Sequence, residues 1–104
     1  MTNQELIDKL YNNFEEYKTS LEKDTIHNYH YYGLAFRYEI CEFFMQAMED
    51  NPDGWQAQLD HLKTKDNPLE YLYEMWIDTD DTLWEDFSDT FKWKINNDIK
   101  REKE

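Results

Sequence analysis

Apolar side chains recur at spacings of three and four residues along most of this 104-residue chain. The first such stripe consists of Ile7, Leu10, Phe14, Tyr17 and Leu21. This spacing places side chains on one face of an α-helix, whereas the faces of a strand alternate every two residues. The sequence therefore predicts an all-α fold, a single bundle-like domain of four to five helices over residues 1–104.

The first two helices are predicted from a capping motif and from apolar stripes. Thr2 and Glu5 form a capping box, in which each side chain accepts a hydrogen bond from the backbone N–H of the other residue. Together with the stripe above, this box predicts a helix over about residues 3–22. A second helix is predicted over about residues 27–49, although the aromatic segment 27–33 is also compatible with a short strand.

Two Asn-Pro pairs mark the next helix starts, because Asn is a preferred N-cap residue and Pro fits the first helical position. Asn51 predicts a short helix that runs through Leu62, and Asn67 predicts a helix over residues 68–77. Glu70, three residues after Asn67, is predicted to complete a second capping box.

The last helix is predicted over about residues 82–100. Its apolar stripe consists of Leu83, Phe87, Phe91, Ile95 and Ile99. The basic residues near its end suit the negative pole of a helix dipole. The tail from about residue 100 is predicted to fray.

Acidic residues dominate the charge of the chain. Twenty-four acids against 11 lysines and arginines give a formal net charge of −13. Residues 66–91 contain nine acids and no lysine or arginine. Such a surface repels nucleic acid and anionic membranes and attracts basic proteins. We therefore expect a basic protein partner, no direct binding of nucleic acid and no association with membranes.

The single cysteine, Cys41, excludes an internal disulfide and is typical of a reducing compartment. Acidic neighbours are expected to raise its thiol pKa, which favours a packing role over a reactive one. The chain has no apolar run long enough to span a bilayer, and its first residues do not read as a signal peptide. We therefore expect a cytoplasmic location in a bacterial cell, which could be a host infected by a phage.

Residues 78–82 read Asp-Thr-Asp-Asp-Thr and match D-x-D-x-T, which resembles the motif that opens the active site of haloacid-dehalogenase-type phosphatases. In that family the motif ends a buried strand, and the first Asp attacks phosphorus. Here residues 68–77 have helical spacing, and only 22 residues follow the motif. We interpret Asp78, Asp80 and Asp81 as acids that end one helix and cap the next. No catalytic residue and no enzyme activity are expected.

Metal and cofactor sites are not predicted either. If Asp78 opened a calcium-binding EF-hand loop, the sixth position would require Gly but is Leu83, and the twelfth would require Glu but is Asp89. His27 and His30 have the spacing of two ligands on one helical face, but no third ligand lies near them in sequence.

Two rows of acids lie at helical spacing near the end of the chain. The rows are Glu70, Glu74 and Asp78, followed by Asp81, Glu85 and Asp89. Like charges four residues apart destabilise a helix, so folding does not require these rows. Ordered negative charge resembles a nucleic-acid backbone to a protein that binds one, although an acidic face also serves solubility.

Aromatic residues give a second indication of an interface. The chain contains eight Tyr and four Trp, and Tyr29, Tyr31, Trp55, Trp84 and Trp93 cannot all face inward. Tyrosine and tryptophan beside acids are typical of protein interfaces. The predicted partner-binding residues are Glu70, Glu74, Asp78, Asp80, Asp81, Trp84, Glu85, Asp86 and Asp89.

In size and acidity the chain resembles small helical inhibitors encoded by phages and mobile elements. The segment 83–86, Leu-Trp-Glu-Asp, is similar in character to phage DNA mimics that block restriction enzymes, and some anti-CRISPR proteins share this composition. The segment 51–54, Asn-Pro-Asp-Gly, resembles a turn of the colicin-type DNase immunity proteins. No functional residue is carried over from these proteins.

The function predicted from the sequence is a non-enzymatic inhibitor, monomeric or homodimeric, that occupies the basic nucleic-acid channel of a bacterial defence nuclease. One alternative is an immunity protein that neutralises a nuclease toxin. Another is an acidic structural or regulatory accessory protein that self-associates through an aromatic patch.

Overall fold

The computed structural model describes residues 1–22, 30–77 and 87–103, which contain five helices. These are α1 (Asn3–Glu22), α2 (His30–Asp50), α3 (Pro52–Leu62), α4 (Pro68–Ile77) and α5 (Phe87–Lys103). No strand occurs among these residues, and the helices pack into one bundle, which confirms the predicted all-α fold.

Helix α1 begins where the capping box predicts. The Glu5 N–H donates to Thr2 Oγ1 at 3.1 Å, and the Thr2 N–H donates to the Glu5 carboxylate at the same distance. Both bonds satisfy backbone donors at the helix start that have no partner within the helix. Because the Glu5 carboxylate accepts this bond, its pKa is lowered from the usual value.

Asn51 and Asn67 cap α3 and α4, and the observed bounds of both helices are the predicted ones. Asn51 Oδ1 accepts from the Gly54 N–H at 3.2 Å, and Asn67 Oδ1 accepts from the Glu70 N–H at 3.0 Å. The Glu70 carboxylate was expected to complete the second capping box. It binds the Arg37 guanidinium instead, so only one half of that box is seen.

Helix α2 begins at His30 and ends at Asp50, close to the predicted 27–49. Residues 27–29 of that prediction lie outside the described part of the chain. Residues 30–33 are helical, so a strand is excluded for this part of the aromatic segment.

Helix α5 begins at Phe87 and extends through Lys103, while residues 82–86 of the predicted helix lie outside the described ranges. The tail is helical from residue 100 through Lys103, and its predicted fraying stays a prediction. Two features favour the helical conformation of this turn. Basic side chains in the last turn suit the helix dipole, and the Glu102 carboxylate lies 3.2 Å from the Lys65 ammonium.

The predicted apolar stripes meet in the centre of the bundle. The buried apolar residues are Leu6, Ile7, Leu10, Phe14, Ile40, Cys41, Phe44, Ala47, Trp55, Leu59, Leu62, Leu69, Leu72, Phe91 and Ile95. Aromatic rings fill much of this core, with the centroids of Phe44 and Phe91 5.4 Å apart. Within the described ranges, no helix is long and apolar enough to cross a membrane.

The helices are not equivalent in their packing. Helix α1 makes its most extensive contact with α2, and α3 bridges α1, α2 and α5. Helix α4 contacts α1 and α2 with one side and α5 with another. It therefore links the α1–α2 pair to the last helix, and two turns of α4 carry the acids discussed below.

Candidate partner-binding site

A buried arginine joins three helices at a cluster that we call the Arg37 junction, formed by Arg37, Gly33, Tyr17, Tyr73 and Glu70. The Arg37 guanidinium carbon lies 3.7 Å from the centroid of the Tyr17 ring and 3.6 Å from that of Tyr73. Its N–H groups donate to both Glu70 carboxylate oxygens at 2.7 to 3.1 Å and to the Gly33 carbonyl at 3.1 Å. Aromatic faces and a carboxylate thus compensate a cation that is only 4% exposed.

Gly33 is required at this junction because the packing around it leaves no room for a side chain. A Cβ atom at Gly33 would lie 2.8 Å from Tyr17 Oη and 3.0 Å from the Arg37 Nη1. Both distances are shorter than ordinary contacts of a methyl group. The glycine therefore lets α1 and the guanidinium approach the backbone of α2 closely, and this offsets its low helix propensity.

Glu70 is the first of the predicted partner-binding residues, and the junction gives it an internal role. Its carboxylate lies 2.7 Å from Arg37 Nη2, so a guanidinium compensates its charge. The side chain is still 40% exposed. A partner that bound Glu70 would have to compete with Arg37, and its assignment to the binding surface stays a prediction.

Glu74 and Asp89 are the other predicted partner-binding residues that the structure describes, and both are exposed. Asp89 lies in the first turn of α5, where its charge suits the positive pole of the helix dipole. Among the described residues, no hydrogen bond or ion pair engages the Glu74 carboxylate. The remaining predicted residues, Asp78, Asp80, Asp81, Trp84, Glu85 and Asp86, lie outside the described ranges.

Glu74 lines a groove of about 340 Å³ between the last two helices, which we call the α4–α5 groove. Its other lining residues are Tyr71, Met75, Trp93, Lys94, Asn97, Asp98 and Arg101. Trp93 is 67% exposed, the highest value among the large apolar side chains that are described. The groove thus combines an exposed aromatic ring with a carboxylate that has no partner among the described residues.

The other charged groups of the α4–α5 groove contact one another or the backbone. The Lys94 ammonium donates to the Met75 carbonyl at 2.7 Å, near the end of α4. The Tyr71 hydroxyl donates to Asp98, whose carboxylate also lies 3.7 Å from the Arg101 guanidinium. Burial and this hydrogen bond raise the pKa of Tyr71, so its hydroxyl stays a donor at neutral pH.

A second group of exposed acids lies on α2 and α3, outside the residues predicted from the sequence to bind a partner. Residues 38–62 contain six acids and no lysine or arginine, which is the signal that could have revealed it. The exposed acids of this range are Glu39, Glu49, Asp50, Asp53 and Asp60. Tyr38 is 47% exposed beside them, and its hydrogen bond with Glu42 raises its pKa.

Most basic side chains of the described ranges are held in contacts within the protein. Arg37 is buried, and the Lys9 ammonium donates to the Lys65 carbonyl at 3.1 Å. The Lys92 ammonium lies 4.7 Å from the centroid of the Trp55 ring. Exposed bases among the described residues are Lys18 on α1 and Lys100, Arg101 and Lys103 in the last turn of α5. Carboxylates therefore form most of the exposed charge.

The aromatic residues that sequence reasoning singled out divide between core and surface. Trp55 is 5% exposed and belongs to the core, whereas Trp93 points to solvent. The side chains of Tyr29, Tyr31 and Trp84 lie outside the described residues. The prediction that these five cannot all face inward is therefore confirmed by Trp93 alone.

Elsewhere in the fold, the side chains that could act as a nucleophile or a metal ligand, Cys41 and His61, lie in the interior. Cys41 is fully buried, and burial together with the nearby Glu42 raises the pKa of its thiol to about 12, as predicted in direction. His61 is also buried, and its Nδ1 lies 3.5 Å from the Glu102 carboxylate. Within the described ranges, no three His, Cys, Asp or Glu side chains converge as a metal site requires.

No protein-family model, curated protein or solved structure matches this chain. The candidate site is therefore defined by its chemistry: exposed carboxylates on rigid helices, an exposed tryptophan, and basic side chains held in internal contacts. The resemblance to phage inhibitors and to immunity proteins stays a prediction.

Proposed function

We propose that this protein is a non-enzymatic acidic inhibitor, of the type that phages and mobile elements encode, that binds the basic nucleic-acid-binding surface of a bacterial defence nuclease. It occupies the channel in place of DNA or RNA. One observation carries this proposal: most carboxylates of the described ranges are exposed on the helices, while most of the bases there contact other groups of the protein.

The arrangement of charge fits a partner that binds phosphates. A net charge of −13 on a small domain accelerates association with a basic cleft through long-range attraction. Helices hold the carboxylates at fixed positions, with a rise of about 6 Å between residues four apart. The ordering of charge on a rigid scaffold reduces the entropy that would be lost when a flexible acidic tail binds.

Binding rather than catalysis is supported by two further features. The segment that precedes the D-x-D-x-T motif is helix α4, whereas the phosphatase motif follows a strand. The thiol of Cys41 is buried and its raised pKa keeps it protonated at neutral pH. The helical context of the motif and the buried, protonated thiol both argue against a role as a nucleophile.

An accessory protein that self-associates is the second candidate, and the exposure of Trp93 favours it. Tryptophan is enriched in protein interfaces, and a ring that is 67% exposed is available for a contact between copies. The basic last turn of α5 is also opposite in charge to the exposed acids of α2 and α3. Sedimentation at increasing protein concentration distinguishes this candidate, because self-association through Trp93 raises the mass and Trp93→Ala prevents the increase.

The proposed function is tested by competition for nucleic acid. The panel consists of guide-loaded CRISPR nucleases, restriction enzymes and colicin-type DNases. Each nuclease is mixed with fluorescently labelled target DNA, and the purified protein is then added. Fluorescence anisotropy measures how much DNA stays bound to the nuclease. We expect displacement of DNA from at least one defence nuclease, with an apparent affinity that falls steeply as salt increases. Displacement from a colicin-type DNase alone would support the immunity alternative. Failure with every member of the panel would contradict the proposal.

A pair of charge-reversed variants locates the binding surface. The test variant carries Glu74→Lys with Asp89→Lys, and the control carries Glu49→Lys with Asp53→Lys. All four acids are exposed, and each pair includes one acid in the first turn of a helix, so the two variants change net charge and helix dipoles equally. We expect the test variant to lose inhibition and the control to slow association only. Equal loss would show that bulk charge alone determines binding.

A further inference from the structure

The α4–α5 groove presents two groups that together recognise one kind of side chain. Trp93 offers an exposed ring face, and Glu74 offers a carboxylate that no described residue engages. We propose that this groove is where the partner inserts an arginine side chain, which stacks on Trp93 and pairs with Glu74. This inference rests on the proposed function, because it assumes a basic partner.

The neighbouring charges leave these two groups as the available ones. Asp98 accepts from Tyr71 and lies 3.7 Å from Arg101, and the Lys94 ammonium donates to the Met75 carbonyl. The contact of Asp98 with Arg101 pairs opposite charges, and the contact of Lys94 satisfies a backbone carbonyl near the end of α4. An incoming cation therefore meets the Glu74 carboxylate without displacing an internal partner.

Arginine suits this pair better than lysine does. A guanidinium is planar, so it stacks on a ring while its edge donates two hydrogen bonds to a carboxylate. Its weaker hydration also lowers the cost of leaving water. Lysine offers a compact, strongly hydrated charge that satisfies the carboxylate or the ring, but not both with the same geometry.

The same chemistry already occurs one turn earlier on α4. At the Arg37 junction, a guanidinium lies against Tyr73 and binds Glu70, both of which are on α4. Glu74 and the exposed ring of Trp93 line one groove and offer a carboxylate and one ring. The groove's own cations, Lys94 and Arg101, contact the Met75 carbonyl and Asp98, so a partner with a basic channel would supply the cation for this pair.

A stacked nucleotide base is the competing occupant of an exposed tryptophan. Base stacking on Trp is favourable in nucleic-acid-binding proteins, but those sites carry basic side chains along the phosphate backbone. Here the net charge is −13, and the bases of the groove are held by Met75 and Asp98. Electrostatic repulsion therefore favours a cationic side chain over a base.

Binding of arginine is tested by nuclear magnetic resonance with the wild-type chain labelled with nitrogen-15. A nona-arginine peptide and a nona-lysine peptide of equal charge are titrated separately, and a nine-nucleotide DNA strand serves as the third probe. We expect the Trp93 indole N–H and the α4–α5 amides to shift with nona-arginine, with an affinity at least threefold tighter than for nona-lysine. A larger shift with DNA, or equal affinity for the two peptides, would overturn the inference.

Variants separate the groove from bulk charge. Trp93→Ala and Glu74→Gln are each expected to weaken nona-arginine binding about tenfold. The control is Glu49→Gln, which removes one exposed charge from α2 and should weaken binding less than twofold. Equal losses for Glu74→Gln and Glu49→Gln would refute a specific site. Circular dichroism of each variant verifies that the fold is intact.

The inference and the proposed function fail in different ways. If nona-arginine binds the groove but no nuclease is inhibited, the proposed function is wrong and the arginine site stands. If a nuclease is inhibited equally by wild type, Trp93→Ala and Glu74→Gln, the function stands and the arginine site is wrong.

Discussion

Glu70 and Glu74 lie one turn apart on α4, yet they belong to two regions with opposite roles. Glu70 binds a buried guanidinium between two tyrosine rings, in the Arg37 junction. Glu74 faces the α4–α5 groove, beside an exposed tryptophan and without a partner among the described residues. Where a cation of the chain pairs with the carboxylate, the carboxylate and the rings join helices. Where no described cation pairs with it, the carboxylate and an exposed ring form a candidate binding site.

The comparison also separates two consequences of acidity. At the junction, a negative charge contributes to stability because its counter-charge is fixed at 2.7 Å. At the groove, no described residue pairs with the Glu74 carboxylate, so its charge serves solubility or the partner binding proposed above. Substitutions in the junction should therefore affect stability, and substitutions in the groove should affect binding.

Within the junction and the groove, the largest expected effect is the loss of the buried cation. Arg37→Gln leaves the Glu70 carboxylate and two tyrosine rings without their guanidinium, and we expect the free energy of unfolding to fall by about 3 kcal/mol. Urea denaturation followed by circular dichroism measures it. Lys18→Gln is the control, because it makes the same charge change on the exposed face of α1 and should cost less than about 0.5 kcal/mol. Similar losses for both would mean that Arg37 acts only through net charge.

A methyl group at Gly33 should have the next largest effect. Gly33→Ala improves helix propensity but places Cβ 2.8 Å from Tyr17 Oη, and we expect a net loss of about 1 to 2 kcal/mol. Tyr17→Phe removes the oxygen. In that background, Gly33→Ala should therefore lower the free energy of unfolding by no more than half of its effect in the wild type. A double-mutant cycle on unfolding free energies measures this coupling. If Gly33→Ala stabilised the wild type, the close packing described here would be wrong.

The smallest expected effect on stability lies in the groove. Trp93→Ala should change the free energy of unfolding by less than about 0.5 kcal/mol, because the side chain is 67% exposed. Trp55→Ala, which removes a tryptophan from the core, should cost about 3 kcal/mol or more under the same conditions. A large loss for Trp93→Ala would place it in the fold rather than in an interface.

Local features of the fold could be predicted from the sequence because local chemistry determines them. The capping box of Thr2 and Glu5 and the caps at Asn51 and Asn67 act within four residues, and each marks a helix start that the structure contains. The apolar stripes likewise identify the buried faces. Residue spacing was sufficient for both, since neither depends on which helices become neighbours.

The two roles of the α4 acids could not be predicted in this way. In the sequence, Glu70 and Glu74 are equivalent members of one row, and Arg37 lies 33 residues before Glu70. Only the packing of α2 against α4 shows that Arg37 reaches the first acid and not the second. The exposed acids of α2 and α3 do have a signal in the sequence, since residues 38–62, like residues 66–91, contain no lysine or arginine.

The Arg37 junction also has a consequence for the order of events in folding. Its groups come from α1, α2 and α4, so the guanidinium can lose its hydration favourably only after all three helices have met. Closing a loop of this length costs chain entropy before the contacts compensate it. We therefore expect the junction to form after the transition state, so that it sets how slowly the native protein unfolds rather than how quickly it folds.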